Sequence, residues 1–178
     1  MAEQELEVRR AGRSDAVMLH LIAAATFPLA CVGAPQEDIQ QHIDAHLTVE
    51  RFREYASDPD RRLLVVEANG TPAGYAMVHL ARTTNSDVLA LVSTENTVEL
   101  VTFYLLAGRH GSGLADTLMQ AAVAEAKQSG AESMWLGVAD DNSRANSFYD
   151  RYHFARRGTK TFMVGTAALT DLIREKPL

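Results

Sequence analysis

Apolar positions recur along the chain with two different periods, and the switches between them set out an order of strands and helices. Residues 6–10 (L-E-V-R-R) alternate with period two and predict a short strand. Gly12 to Asp15 break it, and Ser14 or Asp15 can cap the helix that follows. Val17, Leu21, Ala24 and Ala25 then fall at helical spacing, with an end expected before Pro28. Residues 28–35 read as a loop. Beyond it Ile39, Ile43 and Leu47 stand four apart on one helical stripe. Thr48 is placed to cap a further helix over 50–55, which Asp58-Pro59-Asp60 stops.

A hairpin follows. Residues 62–68 are rich in β-formers, Asn69-Gly70 is a two-residue turn signal, and 73–82 form the return strand. The polar stretch 83–93 predicts a long loop. Residues 97–106 (T-V-E-L-V-T-F-Y-L-L) are a strand, 108–113 a glycine-rich turn, and 114–129 a helix closed by Gly130. Another strand covers 133–138, a turn Asp140-Asp141-Asn142, and a helix 143–152. Residues 154–164 supply one or two closing strands, and 169–174 a short tail. This order predicts an α+β fold: a mixed, mostly antiparallel sheet flanked by helices.

Composition narrows the function classes. With 178 residues, 47% of them hydrophobic and 22% charged, the chain matches a globular domain with a real core. No apolar run approaches the roughly 18 residues of a membrane span, and the N-terminal Met-Ala-Glu-Gln-Glu-Leu-Glu is acidic where a secretory signal is basic. Cys31 is the only cysteine, which excludes an internal disulfide and fits a reducing, cytoplasmic setting. A net charge of −6 argues against non-specific nucleic-acid binding and suits a cationic partner.

The turn before the third long helix carries candidate chemistry. In H-G-S-G-L-A, glycines let the backbone approach an anion, and the first-turn N–H groups and helix dipole face it. Arg109 and His110 can supplement that cradle. A tight strand-to-helix turn without a ligand is the alternative. A Walker loop is excluded because the turn has no lysine, and a dinucleotide fingerprint because the third glycine is missing. His42 and His46 have a zinc-compatible spacing but no further ligand cluster, so a solvated helix face and no metal are expected; His79 reads as a sheet residue and Trp135 as core packing.

The turn resembles the acetyl-CoA motif of the GCN5-related N-acetyltransferases, Q/R-x-x-G-x-G/A, with His110 at the Q/R position, Gly113 at the first glycine and Ala115 at the last. The strand at 99–106 resembles the family's fourth strand, which splays from the fifth to admit the pantetheine arm, and 133–138 resembles that fifth strand. Asn142, Ala145, Phe148 and Tyr149 reproduce the family's N-x-x-A-x-x-F-Y, although His153-Phe154 stands where Gly-Phe is usual. The segments M-W-L-G-V, F-Y-D-R, G-T-K-T-F-M-V-G and T-D-L-I are similar to the PaiA-type bacterial polyamine acetyltransferases.

The resemblance implies one acetyltransferase domain over residues 1–178. It implies that acetyl-CoA is held by Phe103, Tyr104, Leu105, His110, Gly111, Ser112, Gly113, Leu114, Ala115, Asn142 and Tyr149. Tyr149 would protonate the leaving thiolate, and a backbone N–H of Tyr104 or Leu105 would bind the oxyanion. Glu99 is placed like the family's glutamate base, and equally like a cation-binding or exposed strand carboxylate. The implied acceptor is a small cationic, polyamine-like amine attacked in a ternary complex. A protein, amino-acid or antibiotic amine, or a non-catalytic CoA-binding module, stands as the alternative. Neither nucleic acid nor membrane is implied as a partner, and a homodimer is possible within the family.

Overall fold

The Asn69-Gly70 turn is realised in the computed structural model, which describes residues 5–109 and 112–178. There β2 (Arg61–Ala68) returns as β3 (Thr71–His79), with positive φ at both turn residues, 50° and 71°. β1 (Leu6–Arg10) pairs antiparallel with β2, and β3 with β4 (Thr97–Leu105). The helix α5 (Leu114–Gln128) then crosses over to bring β5 (Ser133–Ala139) parallel to β4. Last come α6 (Ser143–Arg151) and a hairpin of β6 (Ala155–Val164) and β7 (Ala167–Pro177), for a sheet order β1-β2-β3-β4-β5-β7-β6.

Residues 169–174 are therefore no tail. They lie in β7, paired on one side with β5 and on the other with β6. Asp171, Arg174 and Glu175 interrupt the apolar alternation that would have marked a strand; Arg174 and Glu175 are buried and bonded to Asn146 and Ser133.

Helices α1 (Ala16–Ala30), α2 (Gln36–His46) and α3 (Val49–Ser57) cover one face of the sheet, α5 and α6 the other. Thr48 caps α3 as expected, its side chain accepting from the Arg51 N–H at 3.2 Å. α1 differs from the sequence reading. It continues past Pro28, which costs only the bond to the Ala24 carbonyl in the final turn. Its buried side is Leu19, Ile22, Ala23 and Phe27, while Val17 and Leu21 are 53% and 62% exposed. The helix is apolar nearly all round, so spacing alone does not select a buried face. The 83–93 stretch holds a short helix, α4 (Ser86–Leu89), whose Val88 packs on Trp135 and Ile173.

The unbroken apolar run of β2 follows from burial on both faces. Leu64 and Val66 pack under α5, and Leu63 and Val65 under α1 and α3. The same alternation sorts β4: Val98, Leu100, Phe103 and Leu105 face α5 and α6, and Tyr104 faces α1. A bulge between the Met77 and Val78 pairings accounts for the even-to-odd change around Val101.

β4 and β5 share only three paired positions, Thr97–Ser133, Val98–Met134 and Glu99–Trp135. Beyond Glu99 the strands separate. A buried carboxylate locks the closed end. Glu175 of β7, 0% exposed, accepts from the Ser93 N–H (2.9 Å), the Ser133 hydroxyl (2.7 Å) and Arg157 Nε (2.8 Å). The Ser133 oxygen also lies 2.8 Å from Thr97 Oγ1.

Replacing Glu175 with alanine strands these donors and is expected to cost about 3 kcal/mol. Urea denaturation checks this; an unchanged midpoint would remove the carboxylate as the lock.

Candidate functional site

Because β4 and β5 run parallel, their C-terminal ends open on one edge of the sheet, and α5 and α6 both begin there. Gly113, the N-cap residue of α5, has φ 81°, a left-handed conformation that a side chain disfavours. The first intrahelical bond is donated by the Thr117 N–H to the Gly113 carbonyl at 3.0 Å. The amides of Leu114, Ala115 and Asp116 precede it and point out of the helix end, where the dipole is positive. The Ser112 hydroxyl donates to the Arg109 carbonyl at 2.8 Å. The side chain of Leu114 is core, so only its backbone faces this edge. His110 and Gly111 lie outside the described residues. Asn142 caps α6, its Oδ1 accepting from the Ala145 N–H at 3.1 Å and leaving its NH₂ group as a donor.

The opening between the strands is lined by aromatic rings on the α5 and α6 side. Phe103 stacks on Phe148 with centroids 5.4 Å apart, and Tyr149 meets Phe103 edge-on at 6.5 Å and Phe154 at 5.7 Å. Burial pushes the Tyr149 phenol well above its ordinary pKa, so it is a proton-bearing donor at any working pH. The Tyr152 hydroxyl donates to Asp116 Oδ1 at 2.7 Å and ties the end of α6 to the first turn of α5. Strand β4 changes character along its length: Val98 and Leu100 are buried, whereas Thr102 through Leu105 are half-buried. Half-buried apolar walls beside free helix amides suit an elongated ligand with an anionic end.

On the opposite face the strands present a different chemistry. Glu99 lies at the last closed rung, between His79 of β3 and Trp135 of β5. Burial raises the Glu99 pKa, and the charges of Lys160 and Arg61 oppose that rise. Toward the mouth, Asp171 of β7 pairs with Ala139 on one side and Lys160 on the other. Its carboxyl overlies Gly137, where a Cβ would sit 3.2 Å from Oδ2. Burial pushes Asp171 up to about 6, with Lys160 pulling down and Asp140 adding to the rise. Tyr104 and Cys31 are near enough to feel Asp171, and desolvation raises both.

The structure thus brings Phe103 and Tyr149 together and places Ser112 to Ala115 and Asn142 on one edge. It sets Glu99 apart, at the closed end. Asp171 and Lys160 escaped the sequence reading; the available signal was a single charge within each of two segments otherwise free of charge, T-D-L-I and G-T-K-T-F. Also missed was the buried Arg174, which donates to Asn146 Oδ1 (2.9 Å), the Phe154 carbonyl (2.8 Å) and Asp150 (2.7 Å), fixing α6 on β7. Of the expected solvated pair, His46 is exposed, whereas His42 is half-buried, its ring stacked on Phe27 at 4.5 Å and 4.6 Å from that of His46. Among the described residues, no group of three or more His, Cys, Asp or Glu is placed to hold a metal.

Residues 22–154 match the model of the Acetyltransferase (GNAT) family. An uncharacterized N-acetyltransferase of Mycobacterium tuberculosis is 40% identical over 166 residues, spanning 93% of this chain and 99% of the relative. Among solved structures, the PaiA N-acetyltransferase of Thermoplasma acidophilum, determined with coenzyme A, superposes with a TM-score of 0.74 at 22% identity, over 98% of this chain and 99% of that one. The yncA protein of Salmonella typhimurium, determined with acetyl-CoA, superposes with a TM-score of 0.66 at 19% identity, over 98% and 94%.

The Cys31 thiol, 2% exposed and pushed up to about 11, is protonated at pH 8 and unsuited to act as a nucleophile. Iodoacetamide should label it on the order of 10²-fold more slowly in the native protein than in urea. Equal rates, followed by mass spectrometry, would contradict the burial.

Proposed function

We propose that this chain, which belongs to the acetyltransferase (GNAT) family and is an acetyl-CoA-dependent N-acetyltransferase, moves the acetyl group to the primary amine of a small cationic, polyamine-like acceptor. The observation that carries the acceptor class is the pair of carboxyl side chains, Glu99 and Asp171, on the sheet face opposite α5 and α6. Burial raises both pKa values, and a bound ammonium relieves that cost. Likeness of several segments to the PaiA group supports the same class.

In this reading acetyl-CoA enters from the α5 edge. The amides of Gly113, Leu114 and Ala115 face its pyrophosphate, and His110, Gly111 and Ser112 belong to the same cofactor-binding motif. The pantetheine arm runs between β4 and β5 beside Phe103 and Leu105, with the Asn142 amide as a donor to it. When bound, the thioester supplies an activated acetyl carbonyl to an amine on the other face, in direct attack within a ternary complex.

Strand alternation supports Leu105 over Tyr104 as the oxyanion donor. The Leu106 N–H bonds to the Ala73 carbonyl of β3 at 2.8 Å, so the Tyr104 N–H, two residues back, also turns toward β3. The Leu105 N–H turns the other way, into the opening. Tyr149 stands on the far side of Phe103 with its phenol protonated and serves as proton donor to the thiolate.

Gly74 keeps this geometry in register. A Cβ there would collide with the Tyr104 carbonyl and lie 2.6 Å from Leu105 Cδ2. Gly74→Ala is expected to displace the Leu105 amide and lower kcat about tenfold or more, while the fold survives; an unchanged kcat would exclude Leu105 as the donor.

Thiol release from acetyl-CoA, followed against spermidine, spermine, free lysine and a peptide N-terminus, tests the acceptor. Turnover is expected with the polyamines, and a preference for the peptide would reject that class. Tyr149→Phe should lower kcat by about 10²-fold while acetyl-CoA affinity holds; an unchanged rate would remove Tyr149 as the acid.

A further inference from the structure

The acceptor arrives at neutral pH as an ammonium ion and must shed a proton before it can attack. Strand register decides which carboxyl stands where that proton leaves. Glu99 pairs with Trp135 at the last closed rung. Tyr104 is five residues further along β4, with one residue taken up by the bulge. On β5, Ala139 is four residues past Trp135, and Ala139 pairs with Asp171. Four residues of strand span about 13 Å. The Asp171 backbone is therefore level with Tyr104, one residue from the Leu105 amide that is to hold the acetyl carbonyl, and the Glu99 rung is four residues away toward the closed end.

Side-chain direction agrees with the register. Asp171 alternates with Ile173, which packs on Trp135, so both side chains leave the sheet on the face opposite α5 and α6. The missing side chain of Gly137 leaves room for the carboxyl to lie across β5 and toward the opening.

Resting on the polyamine-like acceptor reading above, we propose that Asp171 receives the acceptor's ammonium group and takes its proton, making it the general base of the reaction. One N–H bond of the ammonium breaks and its proton passes to a carboxylate oxygen of Asp171, then to water. The freed lone pair forms the C–N bond at the acetyl carbonyl. As the C–S bond breaks, sulfur gains a proton from Tyr149, and the nitrogen's second proton restores the phenol through solvent. The sum is an acetamide, a CoA thiol and one released proton.

Four groups face this carboxyl: Lys160 opposite on β6, Asp140 after β5, Tyr104 on β4 and Cys31 at the end of α1. Lys160 favours the carboxylate, whereas burial and Asp140 oppose it, and the balance stands at about 6. The base is active when deprotonated, so kcat/KM rises with pH through that value.

The test uses the full chain with acetyl-CoA and spermidine. Asp171→Asn should lower kcat/KM by about 10² to 10⁴-fold and abolish the acid limb of its pH profile, with acetyl-CoA affinity and thermal midpoint kept. Asp171→Glu should restore part of the rate with a displaced limb. If Asp171→Asn, or Asp171→Glu should the first variant not fold, turns over spermidine with the wild-type rate and an unmoved limb, Asp171 is not the base and the acceptor reading stands. If the wild-type enzyme acetylates no polyamine but acetylates a peptide amine, the acceptor reading falls, and this assignment with it.

Discussion

Three paired positions between β4 and β5 are the constraint on which the molecule depends. A sheet ordinarily closes every ladder it can, because unpaired backbone groups away from water are costly. Here the ladder stops at Glu99 and Trp135, although both strands run on for several residues. The opening needs an anchor beneath it, and Glu175 supplies one by drawing a loop amide, a serine hydroxyl and an arginine onto one buried carboxylate. β7 then fastens the far side of the opening along the whole of β5. With one edge held by β3 and the other by β7, the gap is a fixed part of the architecture.

That gap divides the molecule chemically. On the α5 and α6 side stand unpaired amides, a glycine in a left-handed conformation and stacked aromatic rings, suited to an elongated anionic ligand. On the other side stand carboxyls that pay desolvation without full compensation, suited to a cation. In the proposed reaction the two ligands are brought together through the sheet, with backbone amides of β4 between them. Side-chain alternation achieves this separation without any added element, since neighbouring residues of one strand serve opposite sides.

Much of the fold was legible because its signals are local. Asn69-Gly70 sets a turn by backbone conformation, Thr48 caps by reach to the Arg51 amide, and the β2 run is apolar enough to need two covered faces. The glycine turn and the Asn142–Tyr149 spacing pointed to the edge where α5 and α6 begin. What stayed hidden depends on partners distant in sequence. β7 read as a tail because Asp171, Arg174 and Glu175 look solvated until Lys160, Asn146 and Ser133 are seen beside them. The buried side of α1 was ambiguous because apolar residues surround its axis. Glu99 drew attention by its likeness to the family's glutamate base; only strand register reveals how far it stands from the mouth.

The place of β7 also has a consequence in time. It follows β6 in the chain yet sits between β5 and β6, so the closing hairpin cannot dock until its second arm has been made. Domains fold as they emerge from the ribosome, N-terminal parts first. The meander of β1 to β4 can assemble from near neighbours, but the anchor at Glu175 and the carboxyl at Asp171 arrive together on one late segment. A nascent chain stopped before that segment carries the α5 edge and Tyr149 but lacks both β7 carboxyls, Asp171 and Glu175. The last strand made thereby closes the sheet and completes its carboxyl-bearing face in one step.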